Sequence, residues 1–140
     1  MHLLAHMRLS LFMLAGVLAA LSGPAYAGTW NIPQVKIENP AVDPEGDYFG
    51  GSVAVSGDTL LVGASRARDG RGSAYVFARS GTQWHLQSTL SGQRTDFGHS
   101  VALSEDTALV GYAGGRFVDV FTRVGTIWSS QTTLEVPGLW

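Results

Sequence analysis

Phe49–Gly63 reads FGGSVAVSGDTLLVG, and Phe97–Gly111 reads FGHSVALSEDTALVG. The two stretches start 48 residues apart and agree at 11 of 15 positions. A second pair follows in the same order: Tyr75–Leu90 (YVFARSGTQWHLQSTL) and Asp119–Leu134 (DVFTRVGTIWSSQTTL), 44 residues apart, with 9 of 16 positions identical. Agreement on both sides of an unequal spacer rules out low complexity. The chain carries one duplicated unit, and an internal loop of the second copy is four residues shorter.

Each copy reads as four short strands. The first copy gives Ser52–Val55, Leu60–Ala64, Ser73–Arg79 and Gln83–Leu90. The second gives Ser100–Leu103, Ala108–Tyr112, Phe117–Arg123 and Ile127–Leu134. Ser56-Gly57-Asp58-Thr59 and Ser80-Gly81-Thr82 are turns, because Gly admits positive φ and Asp or Ser satisfies nearby backbone donors. The runs are too short for a helical period and are rich in Val, Thr and Gly. The first three strands (SVAV, LLVGA, AYVFA) are almost continuously apolar, which predicts burial on both faces. The fourth alternates, with Gln83, His85, Gln87 and Thr89 expected on one wet face. A four-stranded antiparallel sheet with dry inner strands and a wetter outer one has the make-up of a propeller blade.

At these positions the chain resembles the FG-GAP repeat of integrin-α-type β-propellers, in the form found in exported bacterial proteins. Phe49-Gly50, Ser52-Val53-Ala54 and Leu61–Ser65 carry the likeness in the first copy, and Phe97-Gly98 and Val110–Ala113 in the second. Gly72–Phe77 and Gly81-Thr82-Gln83-Trp84 continue it. It spans roughly Tyr48–Leu134. Ser65 stands where the pattern has Pro, and Tyr112-Ala113 departs further. The resemblance implies an all-β partial propeller of about two blades. Trp30–Ile37 (WNIPQVKI) is similar to a lone fourth strand, of the kind that closes a ring from the N-terminus. The expected organisation is residues 1–27 as a signal peptide, 28–48 as leader strand and acidic linker, 49–96 as the first blade, and 97–140 as the second blade and tail.

The signal assignment rests on Arg8, the uncharged run Leu9–Leu21, the break at Ser22-Gly23-Pro24 and the small residues of Ala25-Tyr26-Ala27, with cleavage before Gly28. Thirteen apolar residues reach only ~20 Å as a helix, short of a ~30 Å hydrocarbon core, so a retained anchor is the weaker reading. The expected location is periplasmic or extracellular. From Gly28 onward, eight Lys and Arg face eleven Asp and Glu. A net charge of −3 offers no nucleic-acid surface, and Arg66, Arg68 and Arg71 read as a solvated loop. With no Cys the fold is unstapled, and the core alone holds it.

Chemistry finds little support, and no catalytic, cofactor or metal residue is assigned. The turns at Asp58 and at Glu105-Asp106 are too tight to wrap Ca²⁺ with six to eight oxygens. The acidic run Asp43-Pro44-Glu45-Gly46-Asp47 reads as a linker in preference to a metal loop. Asp47 and Asp96, just before each Phe-Gly, are expected to accept backbone donors. His85 and His99 each occur in one copy alone. Ser65 lacks the final Gly and following helix of a nucleophile elbow. Gly70-x-Gly72 is too short for a phosphate loop. Trp84 and Trp128 recur at one repeat position and read as packing anchors. The expected function is a non-catalytic exported module that binds a protein or ligand or serves as scaffold. The alternative is an accessory propeller fragment of a secreted hydrolase. Propellers close with four to eight blades. Two blades therefore predict a piece of a larger propeller, a ring of several copies, or a module that completes another protein's propeller.

Overall fold

The computed structural model describes residues 34–42 and 45–138. Its eight strands are β1 Phe49–Ser56, β2 Thr59–Ala64, β3 Ser73–Ser80, β4 Gln83–Leu90, β5 Ser100–Ser104, β6 Thr107–Gly111, β7 Phe117–Val124 and β8 Ile127–Glu135. They form two four-stranded antiparallel sheets of order β1-β2-β3-β4 and β5-β6-β7-β8, an all-β arrangement consistent with part of a β-propeller. Each sheet is one copy of the repeat. Gly57, Gly81 and Gly125 open three of the four two-residue hairpin turns at φ 56°, 60° and 63°, and Glu105 opens the fourth at φ 50°.

Blade 1 lays one face against blade 2. Leu61, Ala74, Val76 and Leu90 of the first pack with Phe97, Ala108, Val110, Tyr112 and Phe121 of the second, and Val101, Leu103, Phe117 and Trp128 border this core. The opposite face of blade 1 holds a second cluster: Val62, Ala64, Ala67, Tyr75 and Phe77, with Ile37, Phe49, Leu60 and Trp84 against it.

Two expectations about polarity need correction. β1 and β5 are not buried on both faces; Val53 is 60 % exposed, because each is an edge strand with a sheet neighbour on one side only. Nor does β4 alternate throughout. Its pairing with β3 slips between Val76 and Phe77, leaving Gln87 as an extra residue, and β8 repeats the slip at Gln131. A bulge re-aims the side chain it carries. Gln87 accordingly leaves the solvent row and reaches blade 2.

The expected leader strand is also revised where it is described. Gln34–Pro40 belongs to no strand, although Ile37 packs on blade 1. Its hydrogen bond and ion pair are local: Ala41 N donates to Asn39 Oδ1, and Lys36 pairs with Glu38. Trp30–Pro33, the signal segment Met1–Ala27 and Asp43-Pro44 lie outside the described residues. Among the described residues no helix is long and apolar enough to cross a membrane.

The four missing residues are located. Eight residues, Ser65–Gly72, link β2 to β3, and the aligned link in blade 2 is Ala113–Arg116. The longer link makes a helical turn at Ala67–Gly70 that is left-handed at Arg68 (φ 58°) and Asp69 (φ 59°). Buried Ala67 pins it to the second cluster.

Candidate functional site

The two blades meet along a seam built from backbone as much as from side chains. Asp96 N donates to Gly70 O at 3.0 Å, Phe97 N donates to Arg71 O at 3.1 Å, and Gly72 bridges Phe97 in parallel. Gly72 sits at φ 81°, and a Cβ there would strike the Phe97 backbone. Gly98, at φ 89°, lies against Ser73 O and Ala64 N with no room for a side chain. Gly70-x-Gly72 is thus a contact between blades. In blade 2 the position of Gly72 is taken by Arg116.

Side chains complete the seam. Ser52 Oγ donates to Gly98 O at 2.9 Å, and Glu105 N donates to Ser56 Oγ at 2.9 Å. Trp128 Nε1 donates to Gln87 Oε1 at 2.9 Å. Arg123 Nη1 donates to Thr59 Oγ1 at 2.9 Å and to Gln87 Oε1 at 3.5 Å. The guanidinium is held ready for this: Asp106 Oδ1 accepts from Nε at 2.7 Å and pairs with Nη2 at 2.6 Å, and the Trp128 ring lies 5.1 Å away. Asp58, Arg79 and Trp84 repeat the arrangement in blade 1, at 2.8 Å, 2.6 Å and 5.7 Å.

Between the turns lies a cleft of about 580 Å³, lined by Ser56, Thr59, Arg79, Glu105, Asp106 and Arg123 among others. Its two aspartates are engaged with its arginines, Asp58 with Arg79 and Asp106 with Arg123. Those turn carboxylates hold the end of the third strand of each blade. Among the described residues no group of three or more His, Asp or Glu is placed to hold a metal ion.

The other sequence candidates resolve individually. Asp47 is buried, but its side chain accepts no backbone donor and Oδ2 has no partner; its main-chain carbonyl accepts from Arg66 N at 3.1 Å. Asp96 likewise acts through its backbone, at φ 60°, with its carbonyl accepting from His99 N. The true counterpart of Asp96 is Tyr48 (φ 56°), whose carbonyl accepts from Gly51 N. Both aspartates thus accept a backbone donor, through the main-chain carbonyl in each case. What the site needs there is a left-handed residue, which Asp adopts readily and Tyr does not. His85 and His99 are exposed, and the hydrogen bonds of the described residues join neither side chain to a hydroxyl or an acid. The described residues therefore hold no catalytic constellation.

One polar group in the core is unmatched in blade 1. Tyr112 Oη donates to Asp119 Oδ2 at 2.5 Å, accepts from Gln93 N at 3.2 Å, and Thr133 Oγ1 donates to Asp119 Oδ1 at 2.6 Å. Burial, and then the neighbouring Asp119, push the Tyr112 phenol up to about 12. Blade 1 has Ala64 and Tyr75 at these positions, so the large ring has changed strands.

The outer face of blade 2 carries the same set that blade 1 buries in the seam. Leu109, Val118, Val120 and Leu134 stand at the repeat positions of Leu61, Ala74, Val76 and Leu90. Leu61, Ala74 and Val76 are fully buried, whereas Leu109, Val118 and Val120 are only partly buried and Leu134 is 51 % exposed. Thr59 is buried under Arg123, and its counterpart Thr107 is exposed. Gln131, the counterpart of Gln87, is exposed and bonds only to Ser129. The sequence singles out neither Arg79, Arg123 nor Gln131 and reads Thr59 and Gln87 only as a turn residue and a solvent-facing one, although Thr, Arg and Gln are identical in both copies and that identity is the available signal.

Residues 42–77 match the FG-GAP repeat family. Comparison with curated proteins finds no match. The matched segment covers β1, β2 and most of β3, so an FG-GAP-repeat-like stretch forms most of the first β-sheet.

Proposed function

We propose that this chain is an exported scaffold module that binds protein through the outer face of its second blade. The observation that carries this reading is the pairing of Leu134 with Leu90: one repeat position, 51 % exposed in one blade and 3 % in the other because a neighbouring blade covers it. Apolar surface of this kind gains ~25 cal/mol for each Å² removed from water, so a partner that covers it is favoured. The apolar Leu9–Leu21 run and the small residues before Gly28 support export. No observation favours an accompanying hydrolase.

Two measurements test the proposal. A photo-crosslinking residue placed at Val120 in the producing cells should yield a protein adduct, whereas one at exposed His85 should not. Absence of any adduct at Val120 refutes the binding role. N-terminal sequencing of protein from the periplasm or medium should begin at Gly28, and recovery only from the cytoplasm refutes export.

A further inference from the structure

We infer that the partner covering the outer face of blade 2 is blade 1 of a second copy of this chain, docked head to tail. The inference rests on the binding role proposed above and names its occupant. The chain shows what covers such a face, because the seam is an example of it. Blade 2 presents Phe97-Gly98, Val110, Phe121, Arg123 and Trp128 to blade 1. Blade 1 carries Phe49-Gly50, Val62, Phe77, Arg79 and Trp84 at the same repeat positions.

The match extends to conformation. Gly50 has φ 86°, against 89° for Gly98, yet nothing lies within 4 Å of a Cβ on Gly50. Arg79 is already fixed by Asp58 and stacked near Trp84, as Arg123 is by Asp106 and Trp128. The receiving side is equally complete. Thr107 and Gln131 stand where Thr59 and Gln87 accept from Arg123 and Trp128. Ser100 stands where Ser52 donates to Gly98 O. In the assembly, Arg79 of the second copy donates to Thr107 and Gln131 of the first, Trp84 donates to Gln131, and Ser100 donates to Gly50 O.

Ile37 rests on the face that blade 1 would offer. Val62 and Phe77 are buried in the single chain, so the incoming copy displaces the Val35–Val42 stretch, which joins no strand and whose hydrogen bond and ion pair among the described residues are local. Such a contact is heterologous: each copy uses two different surfaces, so growth continues until a ring closes. Closure at four to eight blades corresponds to about two to four copies.

Sedimentation velocity on the purified protein tests this with two variants. Val120→Glu spoils the receiving face, and Arg79→Glu spoils the inserting face. The wild type should show a mass that rises with concentration in steps of one chain. Each variant alone should weaken association at least tenfold, and an equimolar mixture should restore a dimer and nothing larger, since one intact face of each kind remains. Gln131→Ala, at an exposed position, should weaken association several-fold without touching the core. Circular dichroism should show the same strand content in every variant. A wild type that stays monomeric up to ~1 mM, where even weak ~4 kcal/mol association is visible, overturns the inference. A mixture that fails to recover the dimer overturns it too. An adduct at Val120 with a different protein overturns it while leaving the binding role standing.

Discussion

Leu90 and Leu134 make a matched pair for measuring what one blade contributes to the next. They hold the same repeat position, each near the end of the outermost strand of its sheet, and are 3 % and 51 % exposed. Leu90→Ala deletes side-chain carbons from a packed seam, so both the transfer and the cavity contributions apply and the cost is ~3 kcal/mol, at the lower end of buried Leu truncations. Leu134 is half in water, so about half of the ~2 kcal/mol transfer gain is at stake, and no enclosed cavity forms. Leu134→Ala should therefore cost ~1 kcal/mol. The difference, ~2 kcal/mol, corresponds to roughly 10 °C in melting temperature for a domain of about 100 residues. The assay is urea unfolding followed by tryptophan fluorescence, run dilute so that any assembly is dissociated. Equal costs for the two substitutions would refute the claim that blade 2 covers Leu90 while Leu134 is left about half in water. Repeating the measurement at high concentration should raise the cost of Leu134→Ala if a second copy docks.

Three further outcomes follow from the seam. Gly98→Ala should cost several kcal/mol, because Ser73 O and Ala64 N leave no room, whereas Gly50→Ala should cost only the ~1–2 kcal/mol of left-handed strain; thermal melts of both variants decide. Arg123→Ala should lose ~2 kcal/mol, since it breaks the link to Thr59 and Gln87 as well as the Asp106 pair, while Arg79→Ala loses the ~0–1 kcal/mol of a surface pair; denaturant titration separates them. The Tyr112 phenol titrates at about 12 in the fold against an ordinary 10.0, so the stability tied to its proton is complete below pH 10 and is lost as pH rises from there towards 12. Tyr112→Phe should be the less stable protein at neutral pH and should close that gap between pH 10 and 12; a gap that stays constant across the range contradicts the assignment.

Much of the architecture was legible because it is written twice. Both sets of four strands follow from the paired stretches, and the strand limits in the structure differ from the sequence reading by three residues or fewer. The turn glycines and the two tryptophans were readable for the same reason. Contacts that join distant strands through a backbone irregularity were not. Nothing local in QWHLQSTL marks Gln87 as a bulge, since alternation is the default for a strand and the slip shows only in pairing with β3. The inward apolar character of SVAV overstated the burial of β1, because residue type does not reveal which strand ends up at the sheet edge. The left-handed turn at Arg68-Asp69 was hidden for a related reason: Arg is a poor advertisement for positive φ. The receiving face of blade 2 needed both levels, the repeat to say which residues correspond and the fold to say which of them are covered.

The exchange of Gly72 for Arg116 sets how durable each junction can be. Inside one molecule the bare glycine lets two main chains touch, and that junction behaves as a permanent weld. In the docking proposed above an arginine stands in place of that glycine, so an added molecule would be held by side chains without that weld. An assembly formed in the way proposed would stay exchangeable, with copies joining and leaving while each blade pair remains intact.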